Sequence, residues 1–334
     1  MTGLTHPTFL DAQAAARRLS GKAVRTPLLE SPKVNDLVGG RILVKAESLQ
    51  RTGSFKFRGA YNRIAQLNVA ERQAGIVAYS GGNHAQGAAA AAQLLSVDAI
   101  ILMPEDAPQI KIQRTKSYGA RIIFYNRWTD DRDIIAARLI GNTGRTLVPS
   151  FDDPHIIAGQ ATVGLEISEQ AHEMGVQPES VLVCCGGGGL TAGIGMVLKH
   201  LDPAIQIYSV EPDAFDDTRR SLLSGRREAN STGARSICDA LLTQLGELTF
   251  SMNRRLLSGG ITVSDQEVCR AMLVAFEELK LVLEPGGAVA LAAVLSGKAD
   301  VQGRTIVVVA TGGNVDADLY CQSLVDGRRH EHAQ

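Results

Sequence analysis

From about residue 75 onward, short apolar runs alternate with longer stretches of helical periodicity. Gly75–Ser80, Asp98–Pro104, Arg121–Asn126, Ser180–Cys185, Gln206–Val210 and Arg304–Ala310 predict strands. Asn83–Leu95, Gln109–Tyr118, Asp130–Ile140, His155–Glu173 and Leu190–Leu201 predict the helices between them. Strand runs this continuously apolar suit parallel strands covered on both faces. The alternation predicts an α/β fold built on open, twisted parallel sheets. No internal repeat, low-complexity tract or long linker interrupts it. Only the polar tail, Asp326 to Gln334, is expected to fray.

Composition narrows the picture. The 334 residues are about two domains' worth, and 45% apolar against 21% charged residues excludes wholesale disorder. Lysine plus arginine (34) nearly cancels aspartate plus glutamate (35), leaving a net charge of -1. That balance argues against nucleic acid or an anionic membrane as the main partner. No secretory signal opens the chain, and no apolar run nears the ~20 residues of a membrane span. Of the five cysteines, Cys184 and Cys185 sit in a strand-like run and read as small buried hydrophobes. The expectation is a soluble, reduced, cytoplasmic protein.

Glycine changes the picture most. Three clusters follow strand runs, where open α/β sheets place their ligands: Ser80-Gly81-Gly82-Asn83-His84, Gly186-Gly187-Gly188-Gly189-Leu190 and Thr311-Gly312-Gly313-Asn314. Four glycines between a strand and a helix let successive N–H groups converge on one anion, and the helix N-terminus adds its dipole. No Gly-Lys-Ser/Thr follows, and the Rossmann spacing with its acidic ribose ligand is missing, so this reads as a phosphate cup of another kind. The plainer reading is a tight strand–helix turn, which one or two glycines would satisfy. In the substrate-sized loop Ser80–His84, N–H groups and short side chains could hold a carboxylate. Asn83 also serves as a helix cap, and His84 fits a structural role.

Lys56 lies in Arg51-Thr52-Gly53-Ser54-Phe55-Lys56-Phe57-Arg58-Gly59. Most lysines are solvated, but these flanks imply a partly buried ammonium whose lowered pKa makes it a Schiff-base nucleophile and proton carrier. Together with a phosphate cup and no nucleotide motif, this points to a phosphorylated aldehyde cofactor.

These segments, with Glu284-Pro285, come in the order of one family. The chain resembles the fold type II pyridoxal phosphate enzymes, in the threonine/serine dehydratase and serine racemase branch, over nearly its whole length. The resemblance implies a tryptophan synthase β-like architecture: two open, twisted, mostly parallel sheets with the cofactor in the cleft between a large domain (1–68 plus 151–334) and a small one (69–150). It implies that Lys56 carries pyridoxal 5'-phosphate as a Schiff base and is the catalytic residue. Phe55, Asn83 (at the cofactor's O3′), Glu284 and Thr311 (at the pyridine nitrogen) would complete the cofactor site, with Gly186, Gly187, Gly188, Gly189 and Leu190 on the phosphate. Ser80, Gly81, Gly82, Asn83 and His84 would hold the substrate. A neutral hydroxyl at the pyridine nitrogen makes a shallower electron sink than a carboxylate would, which suits prompt expulsion of a β-substituent.

The implied activity is α,β-elimination of threonine, serine or a related β-hydroxy amino acid to a 2-oxo acid and ammonia. Racemases of the branch carry a second serine where this chain has Gly81, so serine or aspartate racemisation is the alternative that the loop disfavours. A β-replacement synthase, or a dehydratase of a specialised hydroxy amino acid, are further options within the fold. A non-catalytic binding protein would have no need of Lys56. The chain ends soon after Asn314, so feedback by isoleucine through a C-terminal regulatory domain is not expected. Glu211, the Phe215 carbonyl and Asp217 resemble the family's divalent-cation site and would suit Mg²⁺ or Ca²⁺; the plainer reading is a solvated acidic loop. The expected partners are a small amino-acid substrate and other copies of the chain, as a homodimer or homotetramer.

Overall fold

The structure, a computed structural model, describes residues 5–331. Among the described residues ten strands form two sheets: β1 (Leu28–Glu30), β2 (Arg41–Ala46), β3 (Ile76–Tyr79), β4 (Ala99–Pro104), β5 (Arg121–Tyr125), β6 (Thr146–Leu147), β7 (Ser180–Cys184), β8 (Gln206–Pro212), β9 (Gly259–Val263) and β10 (Thr305–Ala310). The larger sheet runs β1-β2-β10-β7-β8-β9 and the smaller β5-β4-β3-β6. Every pairing is parallel except β1 with β2 at one edge.

The apolar runs are continuous because both sheet faces are covered. Leu182 of β7 and Val308 of β10 pack on the side of helix Pro285–Leu295. Their neighbours Val181, Val183, Val307 and Val309 pack on the other, against Leu190, Ile194 and Leu198 of helix Gly189–Leu201. Helix Pro285–Leu295 is apolar all round and wholly buried from Pro285 to Val294, as a helix inside a core must be.

The pattern extends further toward the N-terminus than residue 75. Strand β2 carries Arg41 and Lys45 within its apolar run, which masks its strand character. Lys45 is nevertheless fully buried, because its ammonium donates to Glu166 at 2.6 Å, Gln170 at 2.8 Å and the Thr26 carbonyl at 2.7 Å. The tail also differs from expectation, since helix Ala317–Glu331 continues through residues 326–331. Gly327 packs so closely on helix Asp265–Leu279 that a Cβ there would lie 2.5 Å from the Cys269 carbonyl oxygen, and Arg328 pairs with Glu277. Residues 332–334 lie outside the described residues. Among the described residues no helix is long and apolar enough to cross a membrane. Cys184 and Cys185 are buried and unpaired.

Candidate active site

All four segments singled out in the sequence meet at the carboxyl ends of the strands, in the crevice between the two sheets. The chain leaving β2 makes a turn through Thr52 and Gly53, both in the left-handed region (φ +68° and +73°). For a β-branched residue this is uncommon. The turn is held from across the site: Asn314 Nδ2 donates to the Thr52 carbonyl at 2.8 Å, Gly313 N to the Gly53 carbonyl at 2.9 Å, and Phe55 N to the Thr311 carbonyl at 3.1 Å. A bridge between Ser54 and Gly312 completes the seam. Lys56 then opens helix Lys56–Ile64, locked to the segment after β10.

The Lys56 amine donates to the Ser150 carbonyl at 2.8 Å and lies 5.1 Å from the Phe55 ring centroid. Its side chain is half-buried on the wall of the cleft. Desolvation brings its pKa down to about 8, with the nearby Cys184 opposing. At pH 7 about a tenth of this amine is therefore uncharged, far more than for a solvated lysine, and the uncharged form is the one that can act as nucleophile or base.

After β7 the chain runs through Cys185 and three glycines into helix Gly189–Leu201. A Cβ at Gly187 would sit 2.3 Å from the Phe151 ring. At Gly188 (φ +81°) it would lie 2.4 Å from Leu245, and at Gly189 3.1 Å from Phe151. The packing admits no side chain here, so the backbone itself faces the cleft. The N–H groups of Gly186, Gly187 and Gly188 find no acceptor among the described residues, and the first N–H groups of the helix have none by geometry. This is a ready cradle for an anion. Phe151 follows Ser150, so one short segment lines both Lys56 and the cradle.

The third element is Asn83, at the head of helix Asn83–Leu94. Its amide donates to Glu284 Oε1 and accepts from Asn314 Nδ2 at 2.9 Å. Thr311, at the end of β10, is buried with its hydroxyl 2.9 Å from Cys184 Sγ. Burial pushes the Cys184 thiol up to about 12, so it keeps its proton. It can donate to Thr311 Oγ1 and leave the hydroxyl's own proton for another acceptor.

A primary amine of lowered basicity, an anion cradle and a buried neutral hydroxyl fit a phosphorylated aldehyde with a ring nitrogen. Residues 19–312 match the family of pyridoxal-phosphate dependent enzymes. The chain belongs to that family. It is 41% identical to an L-threo-3-hydroxyaspartate ammonia-lyase from Pseudomonas sp over 95% of this chain and 98% of that protein. The solved T.th. threonine deaminase superposes with a TM-score of 0.88 at 43% identity, covering 93% of this chain and 99% of that one. Maize serine racemase superposes with a TM-score of 0.90 at 33% identity, covering 98% and 100%. The fold is therefore that of the fold type II pyridoxal phosphate enzymes, and pyridoxal phosphate is its cofactor.

In this pyridoxal-phosphate dependent enzyme the loop after β3 is tightly packed. A Cβ at Gly81 would lie 2.9 Å from Pro104 Cγ. Gly82 N donates to Ser80 Oγ at 3.1 Å. His84 Nε2 lies 2.9 Å from the Val148 carbonyl oxygen, and burial, helped by Lys56, lowers its pKa to about 3. His84 is thus a neutral donor to Val148. The acidic segment at the end of β8 reaches the cradle through Leu245, which packs on Gly188. Glu211 is buried and accepts from Thr218 N at 2.8 Å and Arg219 N at 2.9 Å. Asp217 accepts from Asn230 Nδ2 at 2.7 Å and from Leu245 N at 3.0 Å. Burial raises Glu211 to about 8, and Asp217 adds to the effect. Among the described residues no three His, Cys, Asp or Glu side chains gather as a metal site; the expected one rests on two carboxylates and the Phe215 carbonyl.

Sequence reasoning passed over Lys111. It looks like a surface lysine on helix Gln109–Ser117, yet it is 1% exposed, with its ammonium 2.6 Å from Asp239 and 3.1 Å from Glu284. Its local spacing carries no such signal, because both partners come from the other side of the cleft. Asn314 was visible as part of a motif, without a role.

Proposed function

We propose that this enzyme is an ammonia-lyase: water is eliminated from a β-hydroxy amino acid, and water is taken up again as the released enamine hydrolyses, so the net products are a 2-oxo acid and ammonia. The observation that carries this is the Lys56 amine, depressed to about 8 and held beside the tetraglycine cradle. When bound, pyridoxal phosphate supplies an electron sink for negative charge at the substrate Cα. On this reading Gly186, Gly187, Gly188, Gly189 and Leu190 hold the phosphate through backbone N–H groups. Phe55, Asn83, Glu284 and Thr311 frame the ring. Ser80, Gly81, Gly82, Asn83 and His84 receive the substrate carboxylate. The Lys56 amine takes the α-proton from the face it occupies.

Thr311 and the Cys184 thiol are both neutral, so the ring nitrogen meets no carboxylate. This supports elimination over chemistry that needs a persistent carbanion. Gly81 bears no proton donor, and the wall at Pro104 leaves no room for one without movement. That supports elimination over racemisation.

The reading extends to substrate. The Pseudomonas relative is an L-threo-3-hydroxyaspartate ammonia-lyase and the T.th. neighbour a threonine deaminase. We therefore place L-threo-3-hydroxyaspartate, threonine and serine as candidates, giving oxaloacetate, 2-oxobutanoate and pyruvate. A 2-oxo-acid release assay across β-hydroxy amino acids of both chiralities and both β-configurations tests this. Product from one of the three L-substrates supports it; D-amino acid as the main product refutes it. The same reading assigns 69–150 as the small domain around the four-stranded sheet and 1–68 plus 151–334 as the large one. It expects a homodimer or homotetramer, and a Mg²⁺ or Ca²⁺ ion at Glu211, Phe215 and Asp217 bracing the loop near the cradle.

A further inference from the structure

An asparagine amide presents either a donor or an acceptor to its surroundings, and groups outside the loop that contains Asn83 decide which. The Asn83 Nδ2 group donates to Glu284 Oε1, while its Oδ1 accepts from Asn314 Nδ2 at 2.9 Å. Neither end is free to exchange. Asn314 Nδ2 also donates to the Thr52 carbonyl at 2.8 Å, and a carbonyl cannot donate in return. Asn314 Oδ1 accepts from the guanidinium of Arg114, which cannot accept. At the other end, burial raises the Glu284 carboxyl, and the Lys111 ammonium 3.1 Å from its Oε2 opposes this and favours the carboxylate, an acceptor only. Flipping Asn83 would set its oxygen against a carboxylate and its amine against an amine. One Asn83 N–H is committed to Glu284; the other has no acceptor among the described residues.

We propose that Asn314 and Glu284, the latter held by Lys111, are positioning residues that lock the Asn83 amide with its second N–H toward the cleft, as an obligatory donor to the phenolic oxygen of pyridoxal phosphate. The proposal rests on the reading that Asn83 faces that oxygen. The clamp spans the cleft: Lys111 and Arg114 belong to helix Gln109–Ser117, whereas Glu284 and Asn314 come from the larger sheet's side. A donor held against a phenolate favours the ionised form of the ring and sets the absorbance of the bound cofactor.

The test uses the holoenzyme and reads absorbance spectrum, cofactor dissociation constant and melting temperature for four variants. Asn83→Ala comes first; an unchanged spectrum and dissociation constant would refute the underlying contact itself. Asn314→Asp puts a second acceptor beside Asn83, so the amide is pulled around while Glu284 resists. Stability should fall, the band should shift, and the cofactor should bind about ten- to a hundred-fold more weakly, the range for one hydrogen bond to a charged group. Adding Glu284→Gln relieves the conflict by offering an amide donor to the reversed Asn83 oxygen. The double variant should regain most of its melting temperature yet keep the shifted band and weak binding. Glu284→Gln alone, with Asn314 still donating and the Asn83 amide keeping its orientation, should shift the band less than Asn314→Asp does. If Asn83→Ala shifts the band but the double variant recovers stability and spectrum together, the clamp is merely structural and the proposal fails.

Discussion

Two residues beyond Lys56, Arg58 anchors the helix that carries the reactive amine. Its side chain is 1% exposed and lies between two carboxylates. It donates to Glu47 at 2.7 and 2.8 Å and to Glu166 at 2.6 and 2.8 Å, both in bidentate fashion. Lys45 completes a buried set of two cations and two anions. Arg58→Met would leave the fully buried Glu47 with only the Thr26 hydroxyl at 2.6 Å as direct partner. Removing one member of such a pair costs about 3–5 kcal/mol. At roughly 2–4 °C per kcal/mol for a large domain, the melting temperature should fall by about 6–20 °C. The double variant Arg58→Met with Glu47→Gln restores charge balance and should recover most of that loss. The pH dependence carries a second signature. Burial alone would raise the Glu47 carboxyl, but the Arg58 guanidinium beside it more than reverses this and holds it below the usual 4.5. Its stabilisation is thus complete above the unfolded value and is lost as the pH falls toward the depressed one. Circular dichroism melts of the three proteins from pH 7 to pH 3 measure both effects. A single variant within about 2 °C of wild type, or a double variant less stable than the single, would refute the argument.

Gly187→Ala forces a methyl against the Phe151 ring; fluorescence titration should show cofactor binding weakened at least about ten-fold, the loss of one good phosphate contact, and unchanged binding would contradict the cradle. Gly81→Ser should add D-serine to the products from L-serine, read by chiral chromatography, at a cost in stability because Pro104 must shift; stable protein with no D-serine would show that the loop is not the missing acid's place. Chelation should lower the melting temperature and Mg²⁺ or Ca²⁺ restore it, a response that Glu211→Gln with Asp217→Asn abolishes. A wild type indifferent to chelator and metal would leave Glu211 and Asp217 as backbone-capping carboxylates only.

Strands β3, β4, β5, β7, β8 and β10 were legible because each is a largely apolar run between helical stretches, whereas β9 was not, since it opens with Gly259 and Gly260. Strand β2 was not, since Lys45 reads as surface until Glu166, more than a hundred residues away, is seen to neutralise it. The edge strands β1 and β6 are three and two residues long, too short for periodicity to register. In the site, the glycine clusters spoke for themselves because only glycine tolerates the approach of Phe151 and Leu245. What could not be read were groups whose role depends on a partner across the cleft. Lys111 needs Asp239 and Glu284, and Asn314 needs Thr52 and Asn83. Cys184 was read as a small buried hydrophobe, which it is, but its 2.9 Å contact with Thr311 arises only from the pairing of β7 with β10.

The proposed chemistry depends on Lys56 binding the cofactor covalently. Borohydride reduction of the holoenzyme, followed by proteolysis and mass spectrometry, locates that bond directly. The expected result is a single pyridoxyl phosphate adduct on the peptide containing Lys56, absent from Lys56→Ala, which should also release no ammonia from substrate. An adduct on another lysine, such as Lys111, or one retained in Lys56→Ala, would contradict it.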